Sequence, residues 1–174
     1  MTPLTFRNAT HADIPMLESL VTAAYRGEAS RAGWTTEADI LDGLRIDAQR
    51  LREDLDRERS HILIAERGGE PVACAHVCVE DDAGYFGMFA VRPLLQGGGI
   101  GKHVLAEAER MAREEFGVAA MRMSVIDLRE ELIAFYERRG YRRTGIKQPF
   151  PYGDARFGLP RRDDLRFERL EKAL

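Results

Sequence analysis

The chain predicts a single α/β layered domain with a mixed sheet, spanning residues 1–174. Three observations carry this. Strand-like and helix-like apolar periods follow one another in the order β-α-α-β-β-β-α-β-α-β-β. The 174 residues suffice for one sizeable core and not comfortably for two. No repeat, low-complexity tract or linker divides them.

Taken in order, L-T-F-R-N-A-T alternates as a short first strand. Asp13 then precedes I-P-M-L-E-S-L-V-T-A-A-Y, whose Ile14, Leu17, Val21 and Ala24 share one helical face, with Pro15 in the first turn where its missing N–H costs nothing. Thr36 with Asp39 three residues on forms an acidic capping-box pattern, so a charged helix is expected from there to about Arg57. H-I-L-I-A-E-R and P-V-A-C-A-H-V-C-V-E read as strands joined by the hairpin turn R-G-G-E; Y-F-G-M-F-A-V follows as a third, after D-D-A-G. A helix is expected from the glycine run to about Phe116, stopped by Gly117, with Ile100, Val104, Leu105, Ala108, Met111 and Ala112 as its apolar stripe. A-A-M-R-M-S-V-I is the next strand, and L-R-E-E-L-I-A-F-Y-E-R-R the next helix, closed by Gly140. Two late strands, near 141–147 and 165–170, flank a loop rich in Pro, Gly and Arg.

A net charge of −3 and a pI near 5.9 give no global attraction to nucleic acid, so an anionic ligand needs a local site. No run of 18 apolar residues exists, and M-T-P-L-T-F-R lacks the layout of a signal peptide; a cytoplasmic protein with no membrane partner is expected. Cys74 and Cys78 lie in one strand-like run, about 13 Å apart, too far for a disulfide between them. Cys74, His76 and Cys78 share a strand face, but the same separation prevents both sulfurs from clasping one metal ion, so no metal is expected.

The informative stretch is V-R-P-L-L-Q-G-G-G-I-G-K-H-V-L, residues 91–105. Glycines are costly in chain entropy, and a strand, a glycine turn and a helix N-terminus together present N–H groups and a dipole to an anion. A Walker A loop fails, since Gln96 and His103 stand where it needs Gly and Ser or Thr. A dinucleotide fingerprint fails too, at Lys102 or Val104, and the run follows three strands instead of opening a βαβ unit.

Gln96-Gly97-Gly98-Gly99-Ile100-Gly101 instead resembles Q/R-x-x-G-x-G/A, the pyrophosphate loop of the Gcn5-related N-acetyltransferase (GNAT) family. The lead-in M-F-A-V-R-P, the downstream F-Y-E-R-R-G-Y and the opening F-R-N-A-T-H-A-D resemble that family as well, over nearly the whole chain. The resemblance implies a largely antiparallel central sheet with helices on both faces. It implies acetyl transfer from acetyl-CoA to the primary amine of a small molecule, without a covalent enzyme intermediate. Acetylation of a protein N-terminus, or CoA binding without catalysis, stand as alternatives.

On this resemblance Phe89, Ala90 and Val91 supply backbone N–H groups on a splayed strand, a preorganised oxyanion site. Gln96, Gly97, Gly98, Gly99, Ile100, Gly101 and Lys102 hold the cofactor, with Arg92 as added charge, and Tyr136 occupies the general-acid position. Two departures stand out. Gly87 replaces a commonly acidic position, leaving His76 or the turn Glu80, Asp81 and Asp82 as candidate bases. Arg129 stands where the family often has Asn, open to phosphate, to the acceptor or to capping its helix. Acceptor specificity is expected from Trp34, Glu37, Asp42 and Arg45 and from a late loop carrying Phe150, Tyr152, Arg156 and Phe157, which covers the pocket or joins a homodimer contact.

Overall fold

The structure is a computed structural model that describes residues 2–26, 30, 31, 33, 36–42, 46–154 and 157–174. Its elements are β1 (Leu4–Asn8), α1 (Ile14–Tyr25), β2 (Leu41–Asp42), α2 (Ala48–Asp56), β3 (Ser60–Arg67), β4 (Glu70–Glu80), β5 (Ala83–Val91), α3 (Ile100–Glu114), β6 (Ala120–Ile126), α4 (Glu130–Glu137), β7 (Arg142–Pro149), β8 (Leu159–Pro160) and β9 (Arg166–Ala173). Seven strands form one sheet in the order β1-β3-β4-β5-β6-β9-β7. Every neighbouring pair is antiparallel except β5 and β6. The expected α/β class and mixed sheet are what the chain forms.

Strand alternation sorts the core into two layers. Ile62 and Ile64 of β3 and Met88 and Ala90 of β5 pack against Leu17, Val21 and Leu51 of α1 and α2. Leu63, Ala65, Phe89 and Val91, one residue out of phase, pack against Val104, Ala108, Ile133 and Phe135 of α3 and α4. The helices therefore cover both faces. The opening motif is a clamp: Arg7 grips Asp13 through two hydrogen bonds of 2.8 and 2.9 Å and donates to Glu66 at 2.8 Å, tying β1 to β3 and to the start of α1. The Arg7 hydrogen bonds hold the Asp13 carboxyl down at about 2.

Two features interrupt the sheet. The register of β4 and β5 shifts between Cys74 and His76, and Met88 opposite the shift takes φ +49, a left-handed conformation that bends β5. Beyond that, β5 and β6 pair only through Gly84–Met121 and Tyr85–Arg122. From Phe86 onward the two strands diverge, and the sheet is split.

The second helix differs from expectation. It begins at Ala48, not near Thr36, because Asp47 supplies the cap: its side chain accepts the Arg50 N–H at 2.8 Å. Thr36 instead accepts from Ala38 N at 3.1 Å in a local turn, and Leu41–Asp42 pairs with Leu159–Pro160, anchoring the late loop beside α1 and α2. Asp47→Ala should therefore destabilise the protein by about 1 kcal/mol, read from urea unfolding; an unchanged midpoint would remove Asp47 as the cap.

Candidate functional site

The glycine run earns its composition residue by residue. Gly97 and Gly99 hold φ of +87 and +85, which side chains rarely adopt. A Cβ on Gly101 would stand 3.0 Å from Phe89 Cζ and 3.4 Å from Phe135 Cζ, so α3 packs down onto those rings only because it starts without a side chain there. Gly98 has neither constraint; its Cβ would meet only Leu95 O, at 3.4 Å. A groove of about 390 Å³ runs past this loop, bounded by Val91, Gln96, Ile100 and Phe135. Its charged lining is Lys102, Arg138 and Arg139, with no acid among the described residues.

Arg138 and Arg139 escaped the sequence reading, although E-R-R-G-Y stood in plain view. Arg139 stacks on the Phe135 ring, 3.7 Å from its centroid, and donates to Phe135 O at 2.8 Å. Arg92 lies elsewhere, donating to Pro71 O at 2.7 Å. The Gln96 side chain donates to Val91 O at 3.0 Å and presses on Gly33, where a Cβ would come within 2.4 Å of it. It braces the end of β5.

The splay exposes backbone. Arg92 N–H bonds Val72 O at 3.0 Å, so by strand alternation Val91 and Phe89 face away from β4, into the gap, while Ala90 turns back toward β4. Of the three expected amides, the geometry therefore directs two into the gap. Phe89 O accepts the Tyr25 hydroxyl of α1, which pins the rim of the gap.

A second recess, about 400 Å³, enters from the α1 and α2 side and reaches Gly87, Phe89, Leu132 and Tyr136. Phe89 lines both recesses, so the anion groove and this cavity meet there. Tyr136 is 3 % exposed and lies within an aromatic group of Phe86, Phe89, Phe135 and Tyr141. Phe150, Pro151 and Phe157 of the late loop line the cavity, and Tyr152 holds that loop by donating to Arg162 O at 3.0 Å and accepting Leu165 N–H at 2.9 Å. Trp34, Arg45 and Arg156 lie outside the described residues, as does the Asp42 side chain.

Glu37 and Arg129 do come together. Glu37 Oε1 accepts from Arg26 at 2.9 and 3.1 Å, and Glu37 Oε2 accepts from Arg129 at 3.2 Å, all three residues lining the cavity. Arg129 makes no side-chain cap to α4. A buried ion cluster of this kind contributes little to net stability once desolvation is counted.

The candidate bases separate. Glu80, Asp81 and Asp82 are exposed in the β4–β5 turn, none of them lining the cavity; Glu80 faces Arg57 at 3.7 Å and Asp82 faces Arg122 at 3.3 Å. A Cβ on Gly87 would lie 2.9 Å from the Tyr85 ring, which fills the space an acid there would take. His76, opposite Gly87 across the strands, does line the cavity. It bonds Ser60 Oγ at 2.7 Å, with Asp54 3.7 Å away. Burial, helped by Arg57 and Arg50, pushes the His76 imidazole down to about 4. The ring is neutral at pH 7 but a weak proton acceptor. Burial also raises the Asp54 carboxyl. Cys74 and Cys78 are free and buried, and the Cys78 thiol is pushed up to about 11 by burial. Among the described residues no group of His, Cys, Asp and Glu is arranged to hold a metal, and no helix is long and apolar enough to cross a membrane.

Comparison with known proteins agrees with this geometry. The Acetyltransferase (GNAT) family matches over residues 17–141, and the chain belongs to that family. Its fold is shared by the ribosomal-protein-S18-alanine N-acetyltransferase of Escherichia coli, at TM-score 0.71 and 17 % identity over 98 % of this chain and 94 % of that one. A ribosomal-protein-alanine N-acetyltransferase from Brucella melitensis aligns at TM-score 0.69 and 27 % identity over 98 % and 99 %. A spermidine N-acetyltransferase variant from Vibrio cholerae aligns at 0.70 and 11 % over 98 % and 93 %. No curated protein matches the chain in sequence. The protein is thus an acetyl-transferring enzyme of the GNAT family.

The His76 environment predicts an acid limb in stability. With its folded value near 4, below the ordinary 6.5, the unfolded chain binds more protons between those limits. The contribution is complete above pH 6.5 and lost as pH falls toward 4, by up to about 3 kcal/mol, offset in part by the raised Asp54 carboxyl, whose effect runs the opposite way. Urea midpoints measured from pH 7 to 4.5 should fall less steeply for His76→Gln than for the native protein; parallel curves would show that His76 titrates normally.

Proposed function

We propose that this enzyme transfers an acetyl group from acetyl-CoA directly to the primary amine of a small molecule, with Tyr136 as general acid. The observation that carries the reading is the meeting of the two recesses at Phe89, beside the split in the sheet and next to Tyr136. One recess has the charge of a polyanion site; the other has the size of a small-molecule pocket.

The groove residues fit the cofactor. Lys102, Arg138 and Arg139 offer cations, the Gly97–Gly99 turn offers backbone at the N-terminus of α3, and Gly98 leaves room for close approach. When bound, acetyl-CoA supplies a thioester whose C–S bond breaks as a C–N bond to the amine forms. Val91 and Phe89 amides, directed into the gap, stabilise negative charge on the carbonyl oxygen. Tyr136 gives its hydroxyl proton to the departing sulfur; on free phenol and thiol values of about 10 and 8.5 that transfer costs about 2 kcal/mol, within reach of a positioned general acid. The amine loses one proton in the same turnover, which restores the tyrosine. His76 is too weakly basic to deprotonate an ammonium ion, so the amine enters neutral or sheds its proton to water. The buried free thiols accord with a reducing compartment such as the cytoplasm.

Two variants test this. Gly98→Glu places a carboxylate where no strained backbone or close packing forbids one, so the fold should persist while acetyl-CoA affinity, by calorimetry, falls at least tenfold. Unchanged affinity would remove the loop from the cofactor site. Tyr136→Phe should retain acetyl-CoA affinity and lose roughly 10² to 10⁴ in turnover, followed by thiol release; undiminished turnover would make Tyr136 a packing residue only.

A further inference from the structure

Beside α2 the acceptor cavity is lined by His76 and Asp54, which the transfer step above does not use. The hydrogen bonds around His76 decide its tautomer. Asp54 O lies in the last turn of α2, where a carbonyl has no partner within its own helix, and it accepts the Ser60 hydroxyl at 2.7 Å. A hydroxyl has one proton to give. Ser60 Oγ, 2.7 Å from His76 Nε2, therefore accepts there, and Nε2 carries the imidazole proton. Nδ1 of the neutral ring is left with a lone pair. His76 is 8 % exposed and Ser60 5 %, so water competes little for these bonds.

Neither Nδ1 nor the Asp54 carboxyl accepts a hydrogen bond among the described residues, and Nδ1 stands 3.7 Å from Asp54 Oδ2. Two acceptors at that spacing suit one group with two donors. Hydrogen bonds of about 2.9 Å to each meet at an angle of about 80°, within the bend such bonds tolerate. A neutral primary amine has two N–H bonds and one lone pair. With both N–H groups given to His76 and Asp54, the lone pair points away from them. His76 pairs with Gly87, two residues before Phe89 on β5, and the cavity that holds His76 reaches Phe89 and Tyr136. Two residues of strand span about 7 Å, and a hydrogen bond of about 3 Å with a near-attack approach of about 3.5 Å covers a distance of that order. Arg50 and Arg57 favour the ionised Asp54 against burial, and either form of the carboxyl keeps an accepting oxygen.

We infer that His76 Nδ1 and Asp54 bind the acceptor amine, each accepting one N–H of a neutral primary amine and aiming its lone pair at the gap, and that Ser60 is the positioning residue that holds His76 in the tautomer this needs. The inference rests on the direct-transfer reading above. The role asks His76 for a lone pair and not for basicity, so it stands with the imidazole near 4. It also makes the site selective for primary amines, since a secondary amine has only one N–H to give.

Matched amines and the ring nitrogens of His76 test this. Thiol release from acetyl-CoA would be followed with 2-phenylethylamine, benzylamine and n-butylamine, each against its N-methyl derivative. The single N–H of the derivative goes to the stronger acceptor, Asp54. In every pair with measurable turnover the primary amine should lead by roughly 3- to 10-fold in kcat/KM, as one neutral hydrogen bond provides. His76→Phe removes the second acceptor, so the ratio should fall to about 1 through KM for the primary amine, with acetyl-CoA affinity by calorimetry at the native value. Ser60→Ala should lower the ratio as well, and Ser60→Thr, which keeps the hydroxyl, should hold it. In nitrogen-15 spectra at neutral pH the native His76 should be protonated at Nε2, and Ser60→Ala should move protonation toward Nδ1. A ring unmoved by Ser60→Ala would overturn the assignment of Ser60. Equal turnover within the pairs, a protonated Nδ1 in the native enzyme, or a native ratio in His76→Phe (in Ser60→Ala, should His76→Phe not fold) would overturn the inference and leave the transfer reading standing. Thiol release from none of these amines, with acetyl-CoA still bound, would overturn the transfer reading and the inference with it.

Discussion

The split between β5 and β6 is the constraint on which the rest of the molecule depends. A sheet normally satisfies its backbone internally, and an unpaired strand edge in the middle of one is expensive. Here two paired residues give way to divergence from Phe86 onward, and the left-handed Met88 bends β5 where its register with β4 shifts. The bend directs Val91 and Phe89 into the gap. Tyr25 and the Gln96 side chain take two of the carbonyls this frees, at Phe89 and Val91. The Phe89 and Val91 amides face the gap.

The gap also organises the two recesses. Because strand alternation puts α1 and α2 on one face and α3 and α4 on the other, a ligand on either face would be separated by a closed sheet. The split removes that barrier at Phe89, which lines both cavities. Their electrostatics then differ for a physical reason. Among the described residues, the groove beside the N-terminus of α3 is lined by Lys102, Arg138 and Arg139 with no acid in its lining, whereas the cavity lining mixes three arginines with two carboxylates.

Packing explains departures from the family pattern that composition left open. Gly87 is not simply a missing acid, since the Tyr85 ring occupies its side-chain space. Arg129 does not cap its own helix; it crosses to Glu37, 92 residues away in sequence, and becomes part of the cavity lining. The opening Arg7 and Asp13 were legible as a motif, and the bidentate clamp between β1 and α1 gives that motif its mechanical meaning.

Local rules in the sequence determined the order of the main-sheet strands and of the helices packed on them, both hairpin turns and the helix stops at Gly117 and Gly140, because each depends on neighbours within a few positions; the short pairing of Leu41–Asp42 with Leu159–Pro160 was not among them. The same locality misled at the second helix, where Thr36 and Asp39 have the pattern of a cap but Asp47 supplies it. What only the tertiary structure decided involves residues distant in the chain. The split between β5 and β6, the turning of Ala90 away from it, the pairing of Arg26 and Arg129 on one Glu37, the seating of Arg138 and Arg139 in the groove and the covering of the cavity by Phe150 and Phe157 all depend on long-range packing. Which edge of a strand stays open, and which charges share a cavity, are set by neighbours that a linear pattern does not contain.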